Sequence, residues 1–389
     1  MFELLFLLLP VAVGYGWFMG RNSIKQKDHN AKESLSIKYS TGLNYLLSNQ
    51  QDKAIDYLLE ALKHEDDTVE AHFAMANLFR RRGELDRALK VHEYLVRQPM
   101  LSDQEKQQAA FELGRDFHSA GLFDRAEKMF LKLTKTPTYG NKSLSYLLQI
   151  YLSTKDWKKG IKLEKVIRKS KDKKLNHSLA NFYCELAELA MQDDEYIKEL
   201  ELLEHALVLN PNSSRAKVTM AKVYENSEQY NEACRCYQEI FLQDQEFFPD
   251  VIDKMRACYM NSDHQDEFYP FIKEVFEKTG SSTALITYLE YLQQQHSPEK
   301  AVEYLLSALH RRPTIRGFKH FVKMQINEDN PQTQQESLDV IKELVTAYLK
   351  LRPRYSCRNC GFNSTVHYWS CPSCHDWEQI KPVRGLEGE

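Results

Sequence analysis

The chain has 389 residues, a formal net charge of -3 and 42% hydrophobic residues, with only 14 glycines and 12 prolines. The near-neutral balance excludes a general polyanion binder, and the scarcity of glycine and proline excludes a loop-rich or disordered chain. Eight cysteines in this length exclude a disulfide scaffold.

The chain opens on "MFELLFLLLPVAVGYGWFMG", where Glu3 is the one charge between Phe2 and Met19. Eighteen residues at about 1.5 Å each reach about 27 Å, close to the thickness of a hydrocarbon core. The run therefore predicts an uncleaved transmembrane helix over residues 1–20, with Trp17 as its interfacial anchor. A basic linker follows over 21–34, with Arg21, Lys25, Lys27 and Lys32. A cleaved leader has its positive charge before the apolar run; here it comes after, which predicts a cytoplasmic body. Ala12, Gly16 and Gly20 are four apart and offer a small-residue face to a second transmembrane helix.

From residue 35 to 352 the chain repeats. "GLNYLLSNQQDKAIDYLLEAL", "ANLFRRRGELDRALKVHEYL" and "GRDFHSAGLFDRAEKMFLKL" each show a small residue, an aromatic three later, a polar turn and an alanine. The small residues are Gly42, Ala76 and Gly114; the aromatics are Tyr45, Phe79 and Phe117; the alanines are Ala54, Ala88 and Ala126. The pattern continues through Gly160, Ala187, Ala206, Ala221, Ala233, Ala301 and Ala308, for about nine helix pairs. One hairpin cannot bury its apolar stripe, whereas stacked hairpins share a core. This resembles the tetratricopeptide repeat family, which implies an all-α solenoid with an inner groove. Asn77, Arg80, Arg81, Arg115 and Lys222 are the candidate groove contacts. The basic spots at 80–82 and 310–312 lie among acidic residues and form no nucleic-acid track. HExxH, GxSxG and phosphate-loop motifs are absent from the sequence, so the expectation is a binding protein and not an enzyme. Cys184, Cys234, Cys236 and Cys258 fall in helical patterns as small core residues.

The last segment, 353–389, holds "CRNCGFNSTVHYWSCPSC". Cys357 and Cys360 form one CxxC, Cys371 and Cys374 another, with ten residues between the pairs. Two tight turns aim four thiolates at one atom, the donor set for one iron or zinc ion. Thirty-seven residues bury too little core without such a clip, so metal and fold are expected to go together. Tyr355, Phe362, Tyr368, Trp369 and Trp377 are expected to pack around the metal. His367 and His375 are surplus to a shell that four cysteines fill. "YSCRNCGF" and "YWSCPSC" resemble the two knuckles of rubredoxin, with a shorter stretch between them and His375 where rubredoxin has a glycine.

The opening "LLFLLLPVAVGYGW", the repeats, the cysteine tail and the closing "IKPVRGLEG" together resemble the lipopolysaccharide assembly protein B family over the whole chain. The resemblance implies a single-pass inner-membrane protein with a cytoplasmic repeat array. It implies Cys357, Cys360, Cys371 and Cys374 as metal ligands, on a tail that packs against the repeats. It also implies an adaptor that regulates lipopolysaccharide synthesis by promoting degradation of the lipid A pathway deacetylase by the membrane-bound metalloprotease FtsH. The alternatives are a scaffold gathering lipopolysaccharide synthesis or transport proteins, and electron transfer of the rubredoxin type.

Overall fold

The computed structural model describes Met19, Tyr45, residues 69–192, 196–295, 297–326 and 332–386, and Glu389. The chain divides into two compact units, Met1–Ser143 and Leu144–Glu389.

In the first unit, helices α1 (Val69–Arg81), α2 (Leu85–Arg97), α3 (Asp103–Ser119) and α4 (Phe123–Leu133) pack consecutively. The small residues of the repeat let the helices approach, and the aromatics fill the space between them. Ala76, Ala88, Ala109 and Ala126 have no exposed surface, and neither have Phe79 and Phe130. Helix α3 begins with a reciprocal cap: the Glu105 amide donates to Ser102 Oγ, and the Ser102 amide donates to Glu105 Oε2 at 2.8 Å.

From Gly140 onward come α5 (Gly140–Thr154), α6 (Trp157–Ile161), α7 (Glu164–Ser170), α8 (Lys173–Gln192), α9 (Tyr196–Leu209), α10 (Ser214–Asn226) and α11 (Tyr230–Gln243). A 3-10 turn, Phe248–Val251, leads into α12 (Ile252–Met260), α13 (Phe268–Thr279), α14 (Ser282–Gln295), α15 (Pro298–Arg311), α16 (Ile315–Gln325) and α17 (Gln332–Lys350). One apolar core runs from Val218 to Ala308 and includes Tyr237, Phe248, Ile252, Phe268 and Leu305, all fully buried. Ala187, Ala206, Ala221, Ala233 and Ala301 have no exposed surface, and Ala308 has 1%.

Gly160 shows why the repeat demands small residues. A Cβ there would lie 2.2 Å from the Phe182 ring of α8. Alanine at this position is expected to lower stability by about 1–3 kcal/mol through overpacking, despite its better helix propensity. An unchanged urea midpoint for Gly160→Ala would show that this interface has slack.

The tail adds a three-stranded antiparallel sheet in the order β2-β1-β3, with β1 Tyr355–Cys357, β2 Asn363–Ser364 and β3 Ile380–Pro382. Tyr355 pairs with Ser364 on one side and Pro382 on the other, and Cys357 pairs with Ile380.

One expectation needs correcting. Among the described residues no helix is long and apolar enough to cross a membrane. Of the described helices of 18 residues or more, α8 buries one face against its neighbours and carries Lys173, Lys174, Glu185 and Glu188, and α17 carries Asp339, Lys342, Glu343 and Lys350. Each such charge costs about 2.5–3.5 kcal/mol at a bilayer centre. The predicted helix over 1–20, its Ala12, Gly16 and Gly20 face and the linker 21–34 lie outside the described residues, Met19 apart. Among the described residues the fold is an all-α repeat body with a small cysteine module, and the single-pass inner-membrane arrangement read from the sequence finds no helix there to carry it.

Candidate metal centre

The two CxxC pairs form matching turns. After the first, the Gly361 amide donates to Cys357 O at 3.0 Å; after the second, the His375 amide donates to Cys371 O at 2.9 Å. Both following residues take the left-handed conformation, Gly361 at φ 75° and His375 at φ 58°. Glycine adopts it freely, whereas an L side chain there costs about 1–2 kcal/mol. His375 is exposed and has little packing to lose. His375→Gly is therefore expected to stabilise the module by about 1 kcal/mol, read as a higher melting temperature of the holoprotein. A lower one would give the imidazole a role of its own.

The four sulfurs lie within 4.8 Å of one another. Cys357 Sγ is 3.8 Å from Cys374 Sγ, and Cys360 Sγ is 3.7 Å from Cys371 Sγ. A tetrahedral ion with bonds of about 2.3 Å needs sulfurs roughly 3.8 Å apart, so the cluster fits iron or zinc. The Phe362 amide draws the Cys360 thiol down to about 7, while burial pushes Cys374 up to about 12. Tyr355, Ile380 and Phe362 pack against Cys357, Cys371 and Cys374. His367 is not among the ligands. It packs tilted against Phe247 at 5.1 Å and edge-on to Trp369 at 4.7 Å, and burial, helped by Lys381, lowers its pKa to about 4.

The module sits on the repeat helices through one carboxylate, Glu378, and three cations, Lys381, Arg358 and Arg354. Glu378 is 6% exposed and reaches the start of α10. Its Oε1 accepts from Ser213 Oγ at 2.6 Å, its Oε2 from the Ser214 amide at 3.1 Å, and His177 Nε2 lies 3.5 Å away. Glu378 itself has a positive φ of 55°, which turns its side chain into the helix array. Lys381 pairs with Asp244, Arg358 with Glu246 at 3.0 Å, and Asp250 accepts from Arg354 at 3.2 Å and from Tyr355 Oη at 3.0 Å. Trp369 and Trp377 point to the repeats and not to the cysteines. Trp377 meets Phe182 edge-on at 6.4 Å, Trp369 meets Phe247 at 5.1 Å, and the Arg215 guanidinium lies over both indoles at 5.4 and 6.0 Å.

Burial works against the charge on Glu378, but His177, the Ser213 hydroxyl and Lys381 together hold its pKa below the usual value. A lowered carboxylate contributes stability that is present above its unfolded pKa, near 4.5, and lost as pH falls through the folded value. Acid titration followed by tryptophan fluorescence is expected to show the module letting go below about pH 4.5, with a smaller change in Glu378→Gln. Superimposable curves for the two proteins would remove Glu378 from the anchor.

The comparisons with known proteins follow this division. Residues 355–382 match the family described as a rubredoxin metal binding domain, and residues 71–99 match a tetratricopeptide repeat. The chain is 39% identical to lipopolysaccharide assembly protein B of Escherichia coli (strain K12) over 389 residues, covering 100% of each. The chain belongs to the lipopolysaccharide assembly protein B family. The Haemophilus influenzae member is 33% identical over 395 residues, again with 100% of both chains covered. The crystal structure of MamA aligns at 19% identity with a TM-score of 0.31 over 44% of this chain and 95% of that one, too loosely to add to the family assignment.

In this family member the five sequence-predicted groove residues have different surroundings. Arg80 is 10% exposed at its side chain and pairs with Glu112 at 2.6 Å and Asp116 at 2.8 Å. Arg115 pairs with Glu112 at 3.0 Å, so two of the five meet at one carboxylate, and Asn77 joins them by accepting from Arg80. Asp116 also bonds His92 Nδ1 at 2.5 Å. Arg81 and Lys222 are exposed, and Lys222 belongs to α10 of the second unit. Sequence reading missed the anchors: Glu378, Arg215, Asp244 and Asp250, and Glu389, which accepts from Ser281 Oγ at 2.6 Å and from the Thr283 amide at 2.9 Å. The doubled serines of "NSSRA" and "GSSTA" were the available signal, because each marks a helix start with more donors than its own cap needs.

Proposed function

We propose that this chain is an adaptor of lipopolysaccharide assembly that brings the lipid A pathway deacetylase to the metalloprotease FtsH for degradation, performing no chemistry itself. The observation that carries the reading is identity over the full length of both curated relatives, repeat body and cysteine module together. General service in lipopolysaccharide assembly follows from family membership; the protease and its client are the finer step. The architecture suits it. A stack of helix pairs offers a long surface to partners, and a metal-clipped module fixed on that stack adds a rigid second surface. Holding protease and client on one chain raises their mutual effective concentration, so modest contacts suffice.

The test is a pulse-chase of the deacetylase in cells lacking the endogenous family member. Supplying this chain is expected to shorten the deacetylase half-life several-fold, and removing FtsH activity is expected to cancel the effect. An unchanged half-life with normal expression would overturn the adaptor reading. The relatives' name, an assembly protein, favours the second reading: a scaffold gathering later synthesis or transport proteins. Co-purification of those proteins without protease or deacetylase would select it.

A further inference from the structure

The near-neutral total hides an uneven distribution of charge. Residues 155–174 hold nine lysines and Arg168 against three carboxylates, an excess of seven positive charges in twenty residues. The whole chain has a net charge of -3, so the remainder stands at -10. The segment covers α6, α7 and the first residues of α8. All ten cations are exposed except Lys159, which is half-buried. The three carboxylates are already engaged. Asp156 pairs with Lys159 at 3.4 Å, and Glu164 pairs with Arg168 at 3.3 Å and accepts from Tyr183 Oη at 2.5 Å. Asp172 accepts from the Lys174 amide at 2.9 Å at the start of α8. Among the described residues the other eight lysines have no ion-pair partner.

The base beneath these lysines is fixed. Trp157, Gly160 and Ile167 are buried, and Trp157 meets Phe182 edge-on at 5.0 Å. Two of the lysines stand where glycine is favoured. Lys155, at φ 57°, takes the turn that Gly83 and Gly121 take in earlier repeats at 81° and 72°, and Lys171, at φ 54°, ends α7. An L side chain is disfavoured in this conformation, so both positions keep their charge at some cost to the fold.

The chemistry of the surface narrows what it can hold. Lysine is a hydrated point charge on a flexible stem, and the one guanidinium is already paired, so the surface senses the density of negative charge and not the shape of a single phosphate. Among the described residues no large apolar side chain is exposed between Leu131 and Leu189. A bilayer site uses such side chains to insert, and a single-strand site uses aromatics to stack bases. The negative remainder of the chain repels a polyanion broad enough to cross the borders of the segment, such as a membrane or a duplex. It spares a short one that meets the lysines alone. We infer that residues 155–174 form a docking surface for a short acidic segment of a partner protein. The surface rests on this chain's own charges and does not depend on the protease or client proposed above.

The test uses the full chain with metal bound and fluorescein-labelled octaglutamate, read by anisotropy, with octaglutamine as control. Octaglutamate is expected to bind and octaglutamine is not, and raising the salt from about 50 to about 300 mM is expected to weaken binding at least about tenfold. Lys158→Gln, Lys162→Gln, Lys165→Gln and Lys169→Gln together are expected to weaken it about tenfold. The same change in net charge made elsewhere, by Lys128→Gln, Lys132→Gln, Lys254→Gln and Lys300→Gln, is expected to alter it less than about twofold. Lys155→Gly with Lys171→Gly separates binding from folding: the melting temperature should equal or exceed that of the native chain, while affinity falls about threefold. Equal weakening by the two sets of four would mean that only net charge is felt, and would overturn the proposal. Unchanged affinity in the glycine variant would overturn it too. So would displacement of octaglutamate by phosphatidylglycerol vesicles or a short DNA duplex at a lower concentration of anionic groups than unlabelled octaglutamate needs, since the surface would then belong to a lipid or a nucleic acid.

Discussion

Replacing Cys371 with serine is expected to abolish stoichiometric metal and release the whole module from the repeats. Cys371 is fully buried, its sulfur lies 3.7 Å from that of Cys360, and its amide donates to Asp376 O at 2.9 Å. A hydroxyl is a poor ligand for a site that needs four thiolates, and the binding free energy of a structural ion of this type is of order 10–16 kcal/mol. The module's own apolar cluster is small, centred on Tyr355, Cys357, Cys371 and Ile380, so nothing else there replaces that contribution. Metal analysis of the purified variant should give well under one ion per chain. Limited proteolysis should cut between residues 353 and 389 while the helices of the body stay resistant. Full metal content in Cys371→Ser would mean that the four-cysteine shell is wrong. Loss of metal with an intact, resistant tail would mean that docking onto the repeats holds the module by itself.

What the sequence shows and hides follows from the range of each interaction. The four cysteines are legible because each turn places its two ligands three residues apart, and the pairing of turns needs no knowledge of the fold. The repeats are legible for the same reason: Ala76 and Phe79, or Gly114 and Phe117, are neighbours on one helix turn, and their recurrence reports the stacking. Arg80 is different. Its pattern position says that it points away from the helix pair, but the carboxylates that engage it, Glu112 and Asp116, lie on the next repeat, more than 30 residues on. Trp369 and Trp377 read as mass around the metal because they flank the second pair of cysteines. In the structure that same position turns them outward, onto Phe247, Phe182 and Arg215. Glu378 carries no local mark at all. Its partners Ser213 and Ser214 are 165 and 164 residues away, and what makes it an anchor is a left-handed backbone that few residues of its type adopt. The predicted membrane helix rested on the length of an apolar run, the basic residues after it and the family resemblance, and it falls outside the described residues, Met19 apart.

Arg215→Ala is expected to separate docking from metal binding. Arg215 is 2% exposed, lies over both indoles of the module, and donates to Glu185 at 2.8 Å and Glu188 at 2.9 Å. Burial disfavours its charge, but Glu188, Cys184 and Glu185 more than offset that and raise its pKa. Truncation removes a buried cation, leaves two like-charged carboxylates without their shared partner and opens a void beneath Trp369 and Trp377. Breaking a fully buried pair costs about 3–5 kcal/mol, and the partial exposure of both carboxylates makes that figure the upper bound here. Arg215→Met keeps the bulk and forfeits the charge, so it should lose less than the alanine variant, since Glu185 and Glu188 keep partial access to water at 27% and 42% exposure. The readouts are the urea midpoint, the emission maximum of the module tryptophans, and metal content. Midpoint and emission should shift toward the undocked state while metal stays at one ion per chain, because Arg215 touches none of the four sulfurs. Loss of metal in Arg215→Ala would instead show that the repeats are needed to hold the thiolate cage closed, and the module would then have to be treated as an extension of the array and not as a clip with a fold of its own.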